Sequence, residues 1–163
     1  MATSGLFLRK KMSEEVTWEE LTRYLGKEIG QTDWLEITQD RINAFAECTE
    51  DRQWIHVDET KARLGPLGTT VAHSFLILSL LPYFNLQNRL IPAGIKLMVN
   101  YGLNRVRFIH PVPVGSRIRN RTVIKDITEK SRGGRLLTLE NTVEIEGQDK
   151  PAMKAEFLVL IYT

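Results

Sequence analysis

Thr70 to Leu81 read TVAHSFLILSLL, and the fold follows from where this segment has to go. Val71, Ala72, Phe75, Leu76, Ile77, Leu78, Leu80 and Leu81 fall on nearly every face of a helix, so the helix must be buried all round. It is too short to cross a bilayer, which takes roughly 20 residues, so protein has to cover it. Pro82 ends or kinks it.

Working outward, the chain from residue 95 turns to alternation of apolar and polar residues. Four runs, 95–108, 116–127, 135–146 and 152–162, have the period of half-buried strands. The linkers HPVPVG, EKSRGG and GQDKP are rich in turn formers, and short links between successive strands favour antiparallel pairing. A buried helix followed by a long antiparallel sheet predicts an α+β hot-dog fold, with the sheet wrapped around a central helix. Arg117, Arg119, Arg121 and Lys125 share one strand face, either to hold phosphates or as a solvated outer face. Glu140, Glu144 and Glu146 on the next strand favour the latter. With Lys130 opposite Arg135, Lys125 would face Glu140, Arg121 Glu144 and Arg119 Glu146. A slip of two residues keeps the same faces, whereas a slip of one would turn Leu139, Val143 and Ile145 to water.

Upstream, Thr17 and Glu20 form a capping-box pattern ahead of a short helix over 18–25, with Gly26 as its stop. Leu35–Thr38 suits a brief strand. Thr38 suits the N-cap of a second helix, with Ile42, Phe45 and Ala46 on one face and Asp51 just past its end.

The 163 residues fit one domain, expected over 17–163 after a loose tail over 1–16. A net charge of +2 does not suggest nucleic acid. Cys48, the single cysteine, excludes a disulfide framework and a cysteine-rich zinc site, and is expected to be a small buried hydrophobe. The start, MATSGLFLRKK, lacks the order of a signal peptide. A cytoplasmic protein with no membrane association is expected.

The chemistry concentrates in Glu50 to Asp58, EDRQWIHVD. Asp51 and His56 lie five residues apart, and a carboxylate with an imidazole can hold different protonation states at neutral pH, as base and acid toward one water. The plainer reading makes Asp51 a cap and His56 a satisfied half-buried residue. His73 reads better as a core histidine bonded to backbone than as a catalyst. Ser79 either bonds the preceding turn or supports an active-site group. No GxSxG elbow supports a serine triad, His110 has no companion histidine, and the spacing of Asp51, His56 and His73 follows no recognised metal pattern.

Taken together, AFAECTEDRQWIHVD, GTTVAHSFLILSLLP and NYGLNRVRFIHPVPVGSRIR resemble the MaoC-like dehydratase family, in particular its NodN-like branch. The resemblance extends over about residues 30–162. It implies a homodimer of hot-dog subunits and reversible hydration of a trans-2-enoyl thioester, on CoA or acyl carrier protein, to the (R)-3-hydroxyacyl product. The thioester is substrate, and no cofactor or metal is implied. The family's catalytic pair falls on Asp51 and His56. Gln53-Trp54 replaces the usual Asn-Pro, as is common in that branch. Ser74 stands where the family usually has glycine, whose backbone N–H polarises the thioester carbonyl. Ser79 matches a serine that helps the active-site hydrogen bonding. A non-catalytic acyl-CoA-binding module and a hot-dog thioesterase are the alternatives, the first kept open by Ser74.

Overall fold

The computed structural model describes residues 14–163. In chain order these form β1 (Glu14–Val16), α1 (Trp18–Thr22), β2 (Glu28–Gln31), β3 (Leu35–Glu36), α2 (Gln39–Thr49), α3 (Trp54–Val57) and α4 (Glu59–Leu64). Then follow α5 (Ser74–Ser79), α6 (Leu81–Asn85), β4 (Leu90–Pro92), β5 (Leu97–Phe108), β6 (Arg117–Glu129), β7 (Arg135–Ile145) and β8 (Met153–Tyr162). The tail expected over 1–16 falls mainly outside the described residues. Glu14–Val16 does not belong to it, because β1 pairs in parallel with β4.

The main sheet runs β2-β6-β7-β8-β5, with β3 also on β6, and all its pairings are antiparallel. Its inner face, including Ile118, Ile124, Leu139 and Val143, packs in one core with Leu76 and Ile77 of α5, Leu80 at the junction, and Leu81 and Phe84 of α6. This is the hot-dog architecture. Each such side chain stabilises the fold by about 1.5–3 kcal/mol on burial.

The central helix departs from expectation in two ways. It begins at Ser74 instead of near Thr70, because residues 70–72 are held extended against 112–114: Ala72 N–H donates to the Val112 carbonyl (2.8 Å) and Val114 N–H to that of Thr70 (3.0 Å). It is also buried on one side only. Leu76 and Ile77 are inside, whereas Phe75 is 66% exposed. Pro82 kinks the helix and occupies the first turn of α6, where its missing N–H is tolerated.

The β6–β7 register is the two-residue slip. Arg119 faces Glu144, Thr122 faces Asn141 and Ile124 faces Leu139, with a bulge between Ile124 and Asp126 that reduces the offset toward the turn. The faces are as expected, since Thr122 and Ile124 are fully buried. The pairs therefore shift. Arg117 binds Glu146, Arg119 binds Glu144 (2.7 Å), Arg121 binds Glu28 (2.5 Å) and Lys125 binds Glu156. With each cation matched, the stripe is a solvated outer face and not a phosphate site.

α1 and α2 carry the expected caps. Thr17 and Glu20 close the capping box, and the Thr38 side chain accepts from Arg41 N–H. Cys48 corrects its expectation. Ile42 and Ala46 define the buried face of α2, and Cys48, two positions beyond Ala46, turns to solvent.

Candidate active site

α2 ends on Glu50, which adopts the left-handed conformation (φ 62°) that halts the helix and reverses the chain. Arg52 braces this turn by binding Glu47 (2.8 Å) and Glu50, so its charge is spent before it reaches Asp51. Asp51 is left 54% exposed at the side chain, and its one ionic neighbour within 4 Å among the described residues is His73.

His56, on the single turn α3, is buried. Its Nδ1 lies 2.6 Å from the Val71 carbonyl, which can only accept, so Nδ1 carries the proton and Nε2 holds a lone pair. Burial pushes its pKa below the ordinary histidine value. The Val71 bond and Asp51 act the other way, and His73 reinforces the lowering. His56 is therefore neutral at physiological pH.

Thr70–Ala72 does more than carry the chain to α5. Val71 N–H donates to the Ile55 carbonyl (3.1 Å), which sets the acceptor for His56. Gln39, absent from the sequence expectations, ties the other side. Its Nε2 donates to the His56 carbonyl (2.8 Å), and its Oε1 accepts from the Thr70 hydroxyl (2.6 Å). Gln39 stands 17 residues from His56 and 31 from Thr70, and no local pattern reveals such a bridge.

His73 is the N-cap residue of α5 and stacks on His56, ring centroids 3.7 Å apart. Its Nε2 donates to the Asp51 backbone carbonyl (2.8 Å), as expected for a core histidine bonded to backbone. One side-chain atom from each of Asp51, His56 and His73 lies within 4.8 Å of the others, a spacing that one water can bridge between Asp51 and His56. A metal fits less well. His56 Nδ1 and His73 Nε2 are each engaged by a backbone carbonyl, which leaves one nitrogen per ring for a ligand.

Ser74 is the first residue of α5, so its N–H has no intrahelical acceptor and sits at the positive end of the helix. Ser79 resolves its two options in part. Its hydroxyl donates to the Leu76 carbonyl in the preceding turn (2.8 Å), and the residue also lines an apolar cleft with Asp51, Phe45, Thr49, Phe75 and Leu78. His110 bonds the Pro111 carbonyl and takes no part in this cluster.

A sequence model of the MaoC like domain matches residues 20–146. The chain is 48% identical over 141 residues to 3-hydroxyacyl-thioester dehydratase Z of Mycobacterium tuberculosis, covering 86% of this chain and 92% of that one. It is 39% identical over 148 residues to nodulation protein N of Rhizobium meliloti, covering 90% and 91%. The solved (R)-hydratase from A. caviae superposes with a TM-score of 0.67 at 20% identity, covering 82% of this chain and 95% of that one, which shows the shared fold. On the family match and the close relatives, this chain is a hydro-lyase that belongs to the MaoC-like dehydratase family.

Proposed function

We propose that the protein reversibly hydrates trans-2-enoyl thioesters to (R)-3-hydroxyacyl thioesters, with Asp51 and His56 as the catalytic pair. The observation that carries this reading is a neutral, backbone-anchored His56, its Nε2 unprotonated, clustered with a carboxylate that has no lysine or arginine partner among the described residues. In the hydration direction Asp51 accepts a hydrogen bond from one O–H of the water, which that oxygen keeps, and His56 Nε2 takes the proton of the other as the oxygen attacks C3. The electron pair moves through C2 onto the thioester oxygen, where the Ser74 N–H stabilises it. The imidazolium then returns a proton to C2, so OH and H are both added and the enzyme is restored. No metal or other cofactor is needed for these steps. The relatedness to a 3-hydroxyacyl-thioester dehydratase supports the thioester as substrate class.

The substrate carries CoA or acyl carrier protein, and loss of the conjugated enoyl absorbance on a series from crotonyl- to dodecenoyl-CoA tests the reaction. Turnover is expected in the wild type, with at most a modest gain in Ser74→Gly, because Ser74 needs no glycine-only backbone conformation. Turnover in the glycine variant alone would make the natural protein a thioester binder. Release of free thiol without loss of the enoyl would make it a thioesterase.

The working unit is a homodimer. β5 is a 12-residue edge strand exposed along almost all its length, with Leu97, Met98, Val99, Tyr101, Leu103 and Phe108 at the surface. Phe75 packs edge-on against Phe108, so the exposed side of α5 continues this patch. A monomeric mass by light scattering at micromolar concentration would exclude the dimer.

A further inference from the structure

α3 is a single turn, Trp54–Val57, and its N-cap Gln53 makes no side-chain bond. One helical turn is unfavourable by itself, so α3 stays in place through what binds it from outside. The carbonyls of Ile55 and His56 are helix-end groups without an intrahelical partner. Val71 N–H donates to the first (3.1 Å) and Gln39 Nε2 to the second (2.8 Å). Val71 also holds the imidazole, since His56 Nδ1 donates to its carbonyl (2.6 Å).

Gln39, the first residue of α2, joins these two anchors. Its Oε1 accepts from the hydroxyl of Thr70 (2.6 Å), a residue only 1% exposed. Its Nε2 also donates to Asn43 Oδ1 (2.9 Å), one turn along α2. The His56 carbonyl can only accept, so it fixes which end of the amide is nitrogen, and the oxygen is left for Thr70. Thr70 and Val71 are consecutive. A closed circuit therefore runs from the His56 carbonyl through Gln39 and Thr70 to the Val71 carbonyl, and back to His56 Nδ1. The Thr70 side of the circuit is itself fixed, because Val114 N–H donates to the Thr70 carbonyl (3.0 Å) and Ala72 N–H to that of Val112 (2.8 Å). The main chain of His56 is thus kept at a set distance from the carbonyl that its ring must reach.

We propose that Gln39 is a positioning residue that fixes the tautomer of His56. A neutral imidazole carries its proton on either nitrogen, and the hydrogen bond made by one decides the state of the other. Nδ1 keeps the proton while the Val71 carbonyl is within reach. Loss of the Gln39 link leaves the Val71–Ile55 bond as a pivot about which α3 tilts. The Nδ1 bond then lengthens, and through exchange with solvent the proton comes to rest partly on Nε2. That nitrogen has to be bare to take a proton from water. In that step the ring becomes an imidazolium, and its bond to Val71 becomes charge-assisted and stronger. Gln39 therefore acts on the chemical step, through His56, and not on binding of the substrate.

The proposal rests on His56 as the base of the hydration, and the tautomer is read without turnover. The chain has three histidines, so two-bond proton–nitrogen spectra of the whole nitrogen-15-labelled protein are assignable, with the signals lost in His56→Gln marking His56. At about pH 8, above the histidine range, wild-type Nδ1 should resonate as a protonated nitrogen and Nε2 as a bare one. Gln39→Met and Thr70→Val keep length and volume, and each should draw the two shifts together. Each should also lower kcat on crotonyl-CoA about tenfold, the worth of one hydrogen bond, with KM unchanged. Both cut one circuit, so the double variant should do no worse than either single one. Shifts that stay apart in a folded variant overturn the proposal, as do losses that add in the double variant or a wild-type His56 with its proton on Nε2. Either single variant decides if the other does not fold. Converging shifts in a protein that hydrates no enoyl thioester would sink the hydratase reading alone. Full turnover with unmoved shifts would sink the positioning role alone.

Discussion

The outer face of β6 and the turn carrying Asp51 both gather ionisable residues, and they treat them in opposite ways. On β6, Arg117, Arg119, Arg121 and Lys125 each meet a glutamate. Around Asp51 the nearby guanidinium is drawn off by Glu47 and Glu50, and the adjacent imidazole is kept neutral by burial. Matched charges stabilise little and do no chemistry, whereas unmatched groups held close together can move protons. Charge density along the chain does not separate the two regions. What separates them is how completely each charge is matched.

The largest effect that would break this contrast lies at the site. Asp51→Asn and His56→Gln are each expected to lower kcat by at least about 10²-fold, the share of one acid–base group, with circular dichroism unchanged. A variant that turns over at nearly the wild-type rate would remove that residue from the mechanism.

A smaller effect sharpens it through pH. The folded-state pKa of His56 is lowered, so its base form exists above a value below the ordinary 6.5. As pH falls through that value, kcat/KM should drop about tenfold per pH unit, and His56→Gln should lose this acid limb. Stability follows the same sign. Below pH 6.5 the unfolded chain binds a proton that folded His56 refuses, so His56's contribution is complete above 6.5 and is lost as pH falls to the folded value. Denaturant midpoints that hold steady over this window in the wild type would contradict the shift.

The smallest effect is expected on the charged face. A double-mutant cycle between Arg119 and Glu144 should give a coupling of about 0.2–1 kcal/mol, reduced by salt, with turnover unaffected. A coupling of several kcal/mol would show that the outer face is structural after all.

Much of this molecule is legible in the residue pattern, for reasons of distance. The strand runs after residue 95, the caps at Thr17 and Thr38, and the Asp51–His56 pair are local, written in periodicity or in motif spacing. What escaped depends on contacts between remote segments. The pairing of 70–72 with 112–114 moved the helix start to Ser74, and the bulge after Ile124 changed which arginine meets which glutamate. Gln39 joins two segments that have no sequence relation to it. The helix expected to be buried all round leaves Phe75 open, because its apolar pattern shows only that covering is needed, not whether one subunit supplies all of it.

His73 grips residue 51 by its main-chain oxygen, an atom that every amino acid brings. The loop's address is thereby independent of the side chain displayed on it, and position 51 works as an interchangeable socket. On the proposed mechanism, one nucleotide change there silences the chemistry and leaves the loop's anchorage intact. A lineage built on this scaffold thus stands a single step from a protein that holds its ligand without transforming it, and the step is as short in reverse.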